Sequence, residues 1–518
     1  MPPSLPVRGH SYSRCFAMNA HSQDSAPTSG ASKNINYDGA IPGSVKTILA
    51  VLVGTAFVMM LNETTVAVAL PSIMEDFSTT ATTAQWLLTG FMLTMAVVLP
   101  ATGWMLERFT TRSVFLFATV TFLVGTMMAA VSPNFAIMLV ARILQALGTA
   151  VIMPLLMTVS MMMVPAPRRG TVMGLISVVM AAAPALGPTV AGLILSVTGW
   201  HGIFWVMVPL VALTTIIGGF KLTNVGTPRK APFDLLSLIL SVVAFGGLIY
   251  GLSSISEIIA GGPAGQSALI ILIAGVVGLA LFVWRQLARA KTDSALLDLR
   301  PLTVKNFTFS LIVLMALMAA MLGVLNTLPL YLQSSVLVSA LITGFALLPG
   351  GLLEAALSPI TGRLYDKVGP RPLVVPGMIV VMGSLFWLAT VDENTSVWLV
   401  ILIHVIFSVG LACLFTPLMT TALGSLPKNL YGHGSAIMNT FQQLAGAAGT
   451  AVMIAIYSTV GQQSLAQGNS NEAALADGAG SAFLTSAIVS VVAVIFALLI
   501  KPVPQEPHAR ELVSTTER

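Results

Sequence analysis

Two acids and one arginine stand where the surrounding residues are apolar. The stretch FVMMLNETTVAVALP (57–71) sets Glu63 beside Asn62, LVARILQALGTA (139–150) carries Arg142, and GGLLEAALSP (350–359) carries Glu354. A charge at the centre of a bilayer costs roughly 2.5–3.5 kcal/mol on insertion scales, so such groups are paired, hydrated or in use. A carboxyl can carry a proton, because burial raises a carboxyl pKa and a neighbouring arginine lowers it. Movement between those two settings would bind a proton in one conformation and release it in another. One charge falling through about 100 mV yields roughly 2.3 kcal/mol. Glu354 has three readings: a second proton carrier, a partner for a cationic ligand, or an orienting group. His404 is either a satisfied interior histidine or a relay. The amides Asn62, Gln145, Asn326, Gln333, Asn439, Gln442 and Gln443 either line a cavity or bond helix to helix.

Spacing brings the first acid and the arginine together. Glu63 lies eight residues before Pro71, about 12 Å below the end of its run at 1.5 Å per residue. Arg142 lies seven residues after Phe135, about 10 Å deep by the same rise. A Glu63–Arg142 pair, direct or through water or Gln145, is the simplest way to hold both. Arg142, Gln145 and Gly148 share one side of a helix, and Gly148 would let a neighbour approach closely. The pair is either a static bond that orders the bundle or the centre of proton uptake and release.

The elements that must position these groups are membrane spans. Of 518 residues, 56% are hydrophobic and 8% charged, and the mean hydropathy is +0.91. Soluble proteins carry about 25% charged residues, so the solvent for this chain is lipid. Runs of about 20 apolar residues cross a bilayer, and inside hydrocarbon only helices or closed barrels satisfy their backbone. Such runs fall at 46–71, 84–106, 113–131, 135–163, 171–197, 202–220, 234–257, 266–285, 307–332, 341–364, 373–390, 397–424, 434–460 and 482–500, about fourteen spans. The net charge of +5 is small and gives no nucleic-acid reading. Cys15 and Cys413 are too few for a disulfide framework or a Cys-rich metal site. No His/Asp metal cluster, nucleophile–base constellation or phosphate-binding loop is visible. The chain therefore reads as a protein without cofactor and not as an enzyme. Residues 1–44 and 501–518 read as disordered tails. The first lacks the apolar core of a signal peptide, and Met18 is an alternative start.

Lys and Arg accumulate on the cytoplasmic side of membranes. With the N-terminus inside, the inner segments hold Lys46, Arg108, Arg112, Arg168, Arg169, Lys221, Arg285, Arg289, Arg300, Lys305, Arg363, Lys367, Arg371, Lys428 and Lys501. The outer loops hold Glu75, Asp76, Glu257, Asp392, Glu393, Glu472 and Asp477. This segregation implies an even span number and two cytoplasmic termini.

A repeat divides the chain. GWMLERFTTR (103–112) follows the second span and GRLYDKVGPR (362–371) follows the tenth. The offset implies six spans, two inserted spans and six more, a parallel-repeat design with a substrate site between the halves near the midplane. The two copies read as latches in which Glu107 or Asp366 bonds neighbouring helix ends and releases them when the halves rock. In APALGPTVAG (183–192), Pro188 removes a backbone bond and bends the helix. Gly187 and Gly192 would allow tight packing, so this span reads as a seal or hinge. Gly103, Glu107, Arg108, Arg112, Gly187, Pro188, Gly192, Gly362, Asp366 and Arg371 are thus the candidate gating residues.

Together these motifs resemble the major facilitator superfamily and, within it, the fourteen-span drug:proton antiporters, over about residues 45–500. Gly103, Arg108 and Arg112 match that superfamily's loop signature, with Glu107 where Asp is usual. LVARILQALGTA is similar to the span-four motif with the proton-linked arginine, and ALGPTVAG to the span-five antiporter motif. LNETTVAVALP carries its acid one place later than the usual Leu-Asp-Thr-Thr, which resembles the lincomycin-resistance branch of multidrug exporters. That shift turns the carboxylate about 100° around the helix.

The expected organisation is an all-α integral membrane protein of the major facilitator fold. Tail 1–44 precedes a six-helix bundle 45–220, two inserted spans within 221–305, a second bundle 306–500 and tail 501–518. The resemblance implies a monomeric, proton-driven exporter of amphipathic drugs in the cell membrane. Glu63, Arg142 and Glu354 would couple protons, and Asn62, Gln145, Asn326, Gln333, His404, Asn439 and Gln442 are cavity candidates. The alternatives are an exporter of one metabolite, such as a lipid precursor, siderophore or amino acid, and a non-transporting receptor or scaffold.

Overall fold

The structure, a computed structural model, describes residues 41–225, 228–229, 232–290, 292 and 294–503. The tail readings for 1–40 and 504–518 lie outside these residues. Among the described residues, thirteen helices are long and apolar enough to cross a membrane. One of them, Arg169–Lys221, breaks at Gly199, whose φ of 71° only glycine adopts freely. That break yields the fourteen spans: α1 Gly43–Asp76, α2 Trp86–Arg108, α3 Thr111–Ala130, α4 Phe135–Met163, α5 (169–198) and α6 (200–221). They continue as α7 Leu235–Ser253, α8 Gly262–Ala290, α9 Lys305–Ser334, α10 Ala340–Val368, α11 Arg371–Leu388, α12 Val397–Gly424, α13 Tyr431–Ala466 and α14 Asn471–Leu499.

Helices α1 to α6 pack on one another, and so do α9 to α14. Apolar side chains drive little association in lipid, so close backbone approach matters. A Cβ on Gly148 of α4 would lie 2.8 Å from the Phe122 Cβ of α3, so only glycine fits this crossing. The two bundles meet along two seams, α5 against α10 and α2 against α13.

The inserted pair α7–α8 is not a free appendage. Gly247 faces Gly275, which lets the two helices cross at backbone distance. Asp234 caps α7 through Ser237 and accepts two bonds from Arg285, at 3.0 and 2.8 Å. Burial pushes the Asp234 carboxyl up, but the bonds from Arg285 and Ser237 outweigh it and hold it at about 2. Gln286 donates to Ser237 at 2.8 Å and accepts from the Leu297 amide at 3.1 Å. The pair then lies along α2: Phe233 packs on Trp104, the Ser241 hydroxyl donates to the Val97 carbonyl, and Tyr250 stacks on Trp86. It also touches α13.

Candidate functional site

Arg142 is fully buried, as its place in an apolar helix requires of a charge with partners. Its Nε donates to the Leu87 carbonyl at 3.2 Å. Its Nη1 donates to Asn62 Oδ1 at 3.3 Å and to Gln145 Oε1 at 2.9 Å. The guanidinium lies 4.2 Å from the centre of the Phe91 ring, a cation–π contact. Gln145 turns its amide nitrogen to Thr126 at 3.0 Å. Arg142 Nη2 and Asn62 Nδ2 donate to nothing.

The direct Glu63–Arg142 bond expected from depth is not formed. The depths agree, since Asn62 reaches Arg142, but the residue facing α4 is Asn62. Glu63 sits one residue on, turned about 100° away, and Thr64 bonds the Ala183 carbonyl of α5 at 3.3 Å. Gln145 is committed to Arg142 and Thr126, so it does not bridge to Glu63 either. Glu63 is half-buried on α1. Its charge interacts with that of Arg142, but its carboxylate has no hydrogen-bond partner.

Glu354 belongs to a different place. A cavity of about 570 Å³ lies between α5, α9, α10 and α12. Its walls are apolar, with Met180, Pro188, Leu325, Phe345 and Phe407 among them, and Glu354 and His404 are its titratable residues. The Glu354 carboxylate has no hydrogen-bond or ion-pair partner, and His404 Nδ1 is buried without one. The other cavity candidates stand elsewhere. Asn62 and Gln145 serve Arg142. Asn326 is exposed and bonds Leu322 and Thr450, and Gln333 is exposed. Asn439 bonds Ser435 and the Met157 sulfur. Gln442 is buried with its amide nitrogen unpaired, and Gln443 touches the Met95 sulfur at 4.0 Å.

At the end that carries the two motif loops, the bundles are bonded together. Asp366 caps α5: its Oδ1 accepts from the Gly170 amide at 2.7 Å, and its Oδ2 from the Thr171 amide and hydroxyl at 2.8 and 2.6 Å. An anion at a helix N-terminus meets free N–H groups and the positive end of the helix dipole. A Cβ on Gly170 would lie 2.6 Å from the Gly362 carbonyl, so both glycines are needed for that approach. The first motif copy differs. Glu107 bonds His433 Nε2 of α13 at 3.1 Å, while His433 Nδ1 accepts from the Asp298 amide at 3.2 Å. Gly103 leaves room for that imidazole. Thr158 bonds Ser435 and Thr416 bonds Ser177, each at 2.9 Å. Among the described residues, the hydrogen bonds between the bundles run from the motif loops to about mid-depth, at Gln443.

Other gating candidates have separate roles. Arg108 is exposed, and the Arg112 amide takes Asn224. Arg371 ties α11 to the carbonyls of Ile500 and Leu498 at the end of α14, within its own bundle. Gly187 packs against Thr64 of α1, and Pro188 lines the cavity. Gly192 does not serve tight packing: a Cβ there would meet nothing within 4 Å, because α10 has diverged at that level. His433 was legible only by aligning the repeat further, since Gly432–His433 stands where Gly170–Thr171 stands in the first half.

Two six-helix bundles that meet across an apolar cavity, with a buried arginine inside the first, define a polytopic membrane protein of the transporter type. The chain belongs to the Major Facilitator Superfamily, which it matches over residues 52–450. It is 38% identical over 460 residues to the lincomycin resistance protein LmrB of Listeria monocytogenes, covering 88% of this chain and 96% of that one. It is 37% identical over 466 residues to LmrB of Bacillus subtilis, covering 89% and 96%. The crystal structure of the human organic anion transporter MFSD10 shares the fold, with a TM-score of 0.63 at 14% identity over 88% of this chain and all (100%) of that one. The protein is thus a multi-pass transporter of the cell membrane.

Proposed function

We propose that the protein exports amphipathic, drug-like compounds across the cell membrane in exchange for protons, acting as a monomer. The observation that carries this reading is Glu63, a carboxylate without a hydrogen-bond partner beside a fully buried arginine that has a free donor. The likeness to lincomycin resistance proteins supports efflux as the direction and drugs as the cargo.

The basic residues at the motif end make that end cytoplasmic. The conformation described is then closed to the cytoplasm by Asp366, Glu107 and His433. Glu63 takes a proton from the outer side in this state. When the latches part and the bundles rock, Arg142 Nη2 turns to the Glu63 carboxylate, which expels the proton inward. The cargo sits in the 570 Å³ cavity. Its apolar walls, with flexible methionines such as Met180 and Met321, repack around varied shapes.

The reading is tested with purified protein in liposomes under an imposed pH gradient. Efflux of lincomycin and of cationic dyes should follow the gradient and stop when it is collapsed. Uptake of the same compounds independent of pH would overturn it.

A further inference from the structure

His404 of α12 stands on the cavity wall, 8% exposed, with Phe407 beside it. The imidazole rests directly on the backbone of α10. A Cβ on Gly350 would lie 2.7 Å from its Cδ2 and 2.8 Å from its Nε2, so the ring fits only because that residue is glycine. Its one hydrogen bond is to the Leu347 backbone, three residues before Gly350. Nδ1 has no partner among the described residues, so the bond to Leu347 falls to Nε2. A carbonyl accepts only from an N–H, and the neutral ring has one proton. Nε2 therefore holds that proton, and Nδ1 keeps a lone pair for the cavity.

The rest of the wall makes that lone pair selective. Leu347, Gly350 and Glu354 are spaced i, i+3 and i+7 and share one face of α10. The imidazole, seated on Gly350, thus lies about one turn from Glu354 along that face. The remaining polar side chains of the lining are the hydroxyls of Thr189 and Ser408. Among the described residues the lining holds no Lys, Arg, Asn, Gln, Trp or Tyr. The cavity offers fixed acceptors and, with the His404 proton spent on Leu347, no fixed donor. A buried acceptor left unpaired is costly, so an occupant that donates to it is favoured over one that does not.

We propose that His404 is a cargo-binding residue that selects for hydrogen-bond donors: its Nδ1 accepts from a hydroxyl or amide N–H of the bound amphiphile. The cargo class is then an amphiphile with an uncharged donor set among its apolar groups. A compound whose polar atoms are all acceptors finds no fixed partner on this wall. This rests on the efflux reading above and deepens it by naming the group that the cargo must carry and the atom that reads it.

The test compares equilibrium binding of two cations to the purified full chain in lipid nanodiscs. One is dodecyldimethyl(3-hydroxypropyl)ammonium, and the other is its deoxy analogue, dodecyldimethylpropylammonium. They share charge and tail, neither has an N–H, and one alone has a hydroxyl. Taking each compound's affinity in His404→Leu relative to wild type cancels their difference in membrane partitioning. The hydroxyl compound should lose about fivefold in His404→Leu, the worth of one neutral hydrogen bond, while the deoxy analogue binds as before and so reports an intact fold. His404→Gln keeps an acceptor oxygen and should keep most of the preference. Equal losses for both compounds in His404→Leu would make His404 a packing residue and overturn the proposal, as would no loss for either. Wild-type protein in liposomes that extrudes neither compound under a pH gradient would sink the efflux reading itself. Extrusion of both, with a preference that does not depend on His404, would sink this inference alone.

Discussion

The two acids of the membrane interior live in opposite surroundings. Glu63 adjoins a dense polar cluster: Arg142 holds Asn62, Gln145 and the Leu87 carbonyl and rests on Phe91. Glu354 faces an apolar cavity with no cation beside it. A carboxyl beside a fixed arginine can trade a proton against a protein charge. A carboxyl in an apolar cavity, with no arginine or lysine beside it, is open to a cationic cargo. On the proposed reading, the first bundle couples protons and the second recognises cargo.

The largest effect is expected at Glu63. Glu63→Gln should remove one proton per cycle, and with it roughly 2.3 kcal/mol per 100 mV, so the drug gradient sustained in liposomes should fall about 50-fold for each 100 mV. Undiminished accumulation would break the division of roles. Glu354→Gln sharpens it: a charge-assisted contact is worth about 1.5–3 kcal/mol, so affinity for cationic amphiphiles should drop about 10- to 150-fold in equilibrium binding while uncharged lincosamide analogues bind as before. Equal losses for charged and uncharged compounds would assign Glu354 to structure.

Smaller effects lie outside the two acids. Asp366→Asn weakens three bonds to the start of α5, and a loss of about 1–2 kcal/mol there should move the closed-to-open ratio about 5- to 30-fold. Spin labels on the motif loops read that ratio, and an unchanged distance distribution would mean the cap does not hold the gate. Asp234→Asn should have the least effect, a lower melting temperature with transport retained. Because the folded Asp234 carboxyl lies at about 2 against an ordinary 3.8, its contribution is complete above pH 4 and is lost as pH falls through about 2. The melting difference between wild type and Asp234→Asn should therefore stay constant from pH 5 to 8. A difference that collapses near pH 6 would place the brace elsewhere.

Much of this was legible in sequence. Hydropathy marked the apolar spans, and depth counting put Arg142 level with Asn62–Glu63. Two features were not legible. The facing of Glu63 depends on helix rotation, and a one-residue shift exchanged it for Asn62 in the arginine's shell. The cavity wall was invisible because Met180, Leu325, Phe345 and Phe407 look the same in sequence whether they face cargo, lipid or a neighbour. The amides misled for a related reason. Polar side chains in lipid first satisfy one another and nearby carbonyls, so Asn326 and Asn439 are occupied by Leu322 and Ser435 rather than turned to a cargo.

The division between the acids is tested most directly by proton release from the purified, lightly buffered protein in detergent when a cationic amphiphile such as tetraphenylphosphonium is added. The wild-type protein should acidify the solution in proportion to binding, and Glu63→Gln should bind the cation and release nothing. Release from Glu63→Gln equal to that of the wild type, with release lost instead in Glu354→Gln that still binds, would contradict the assignment and move the coupling proton to the second bundle.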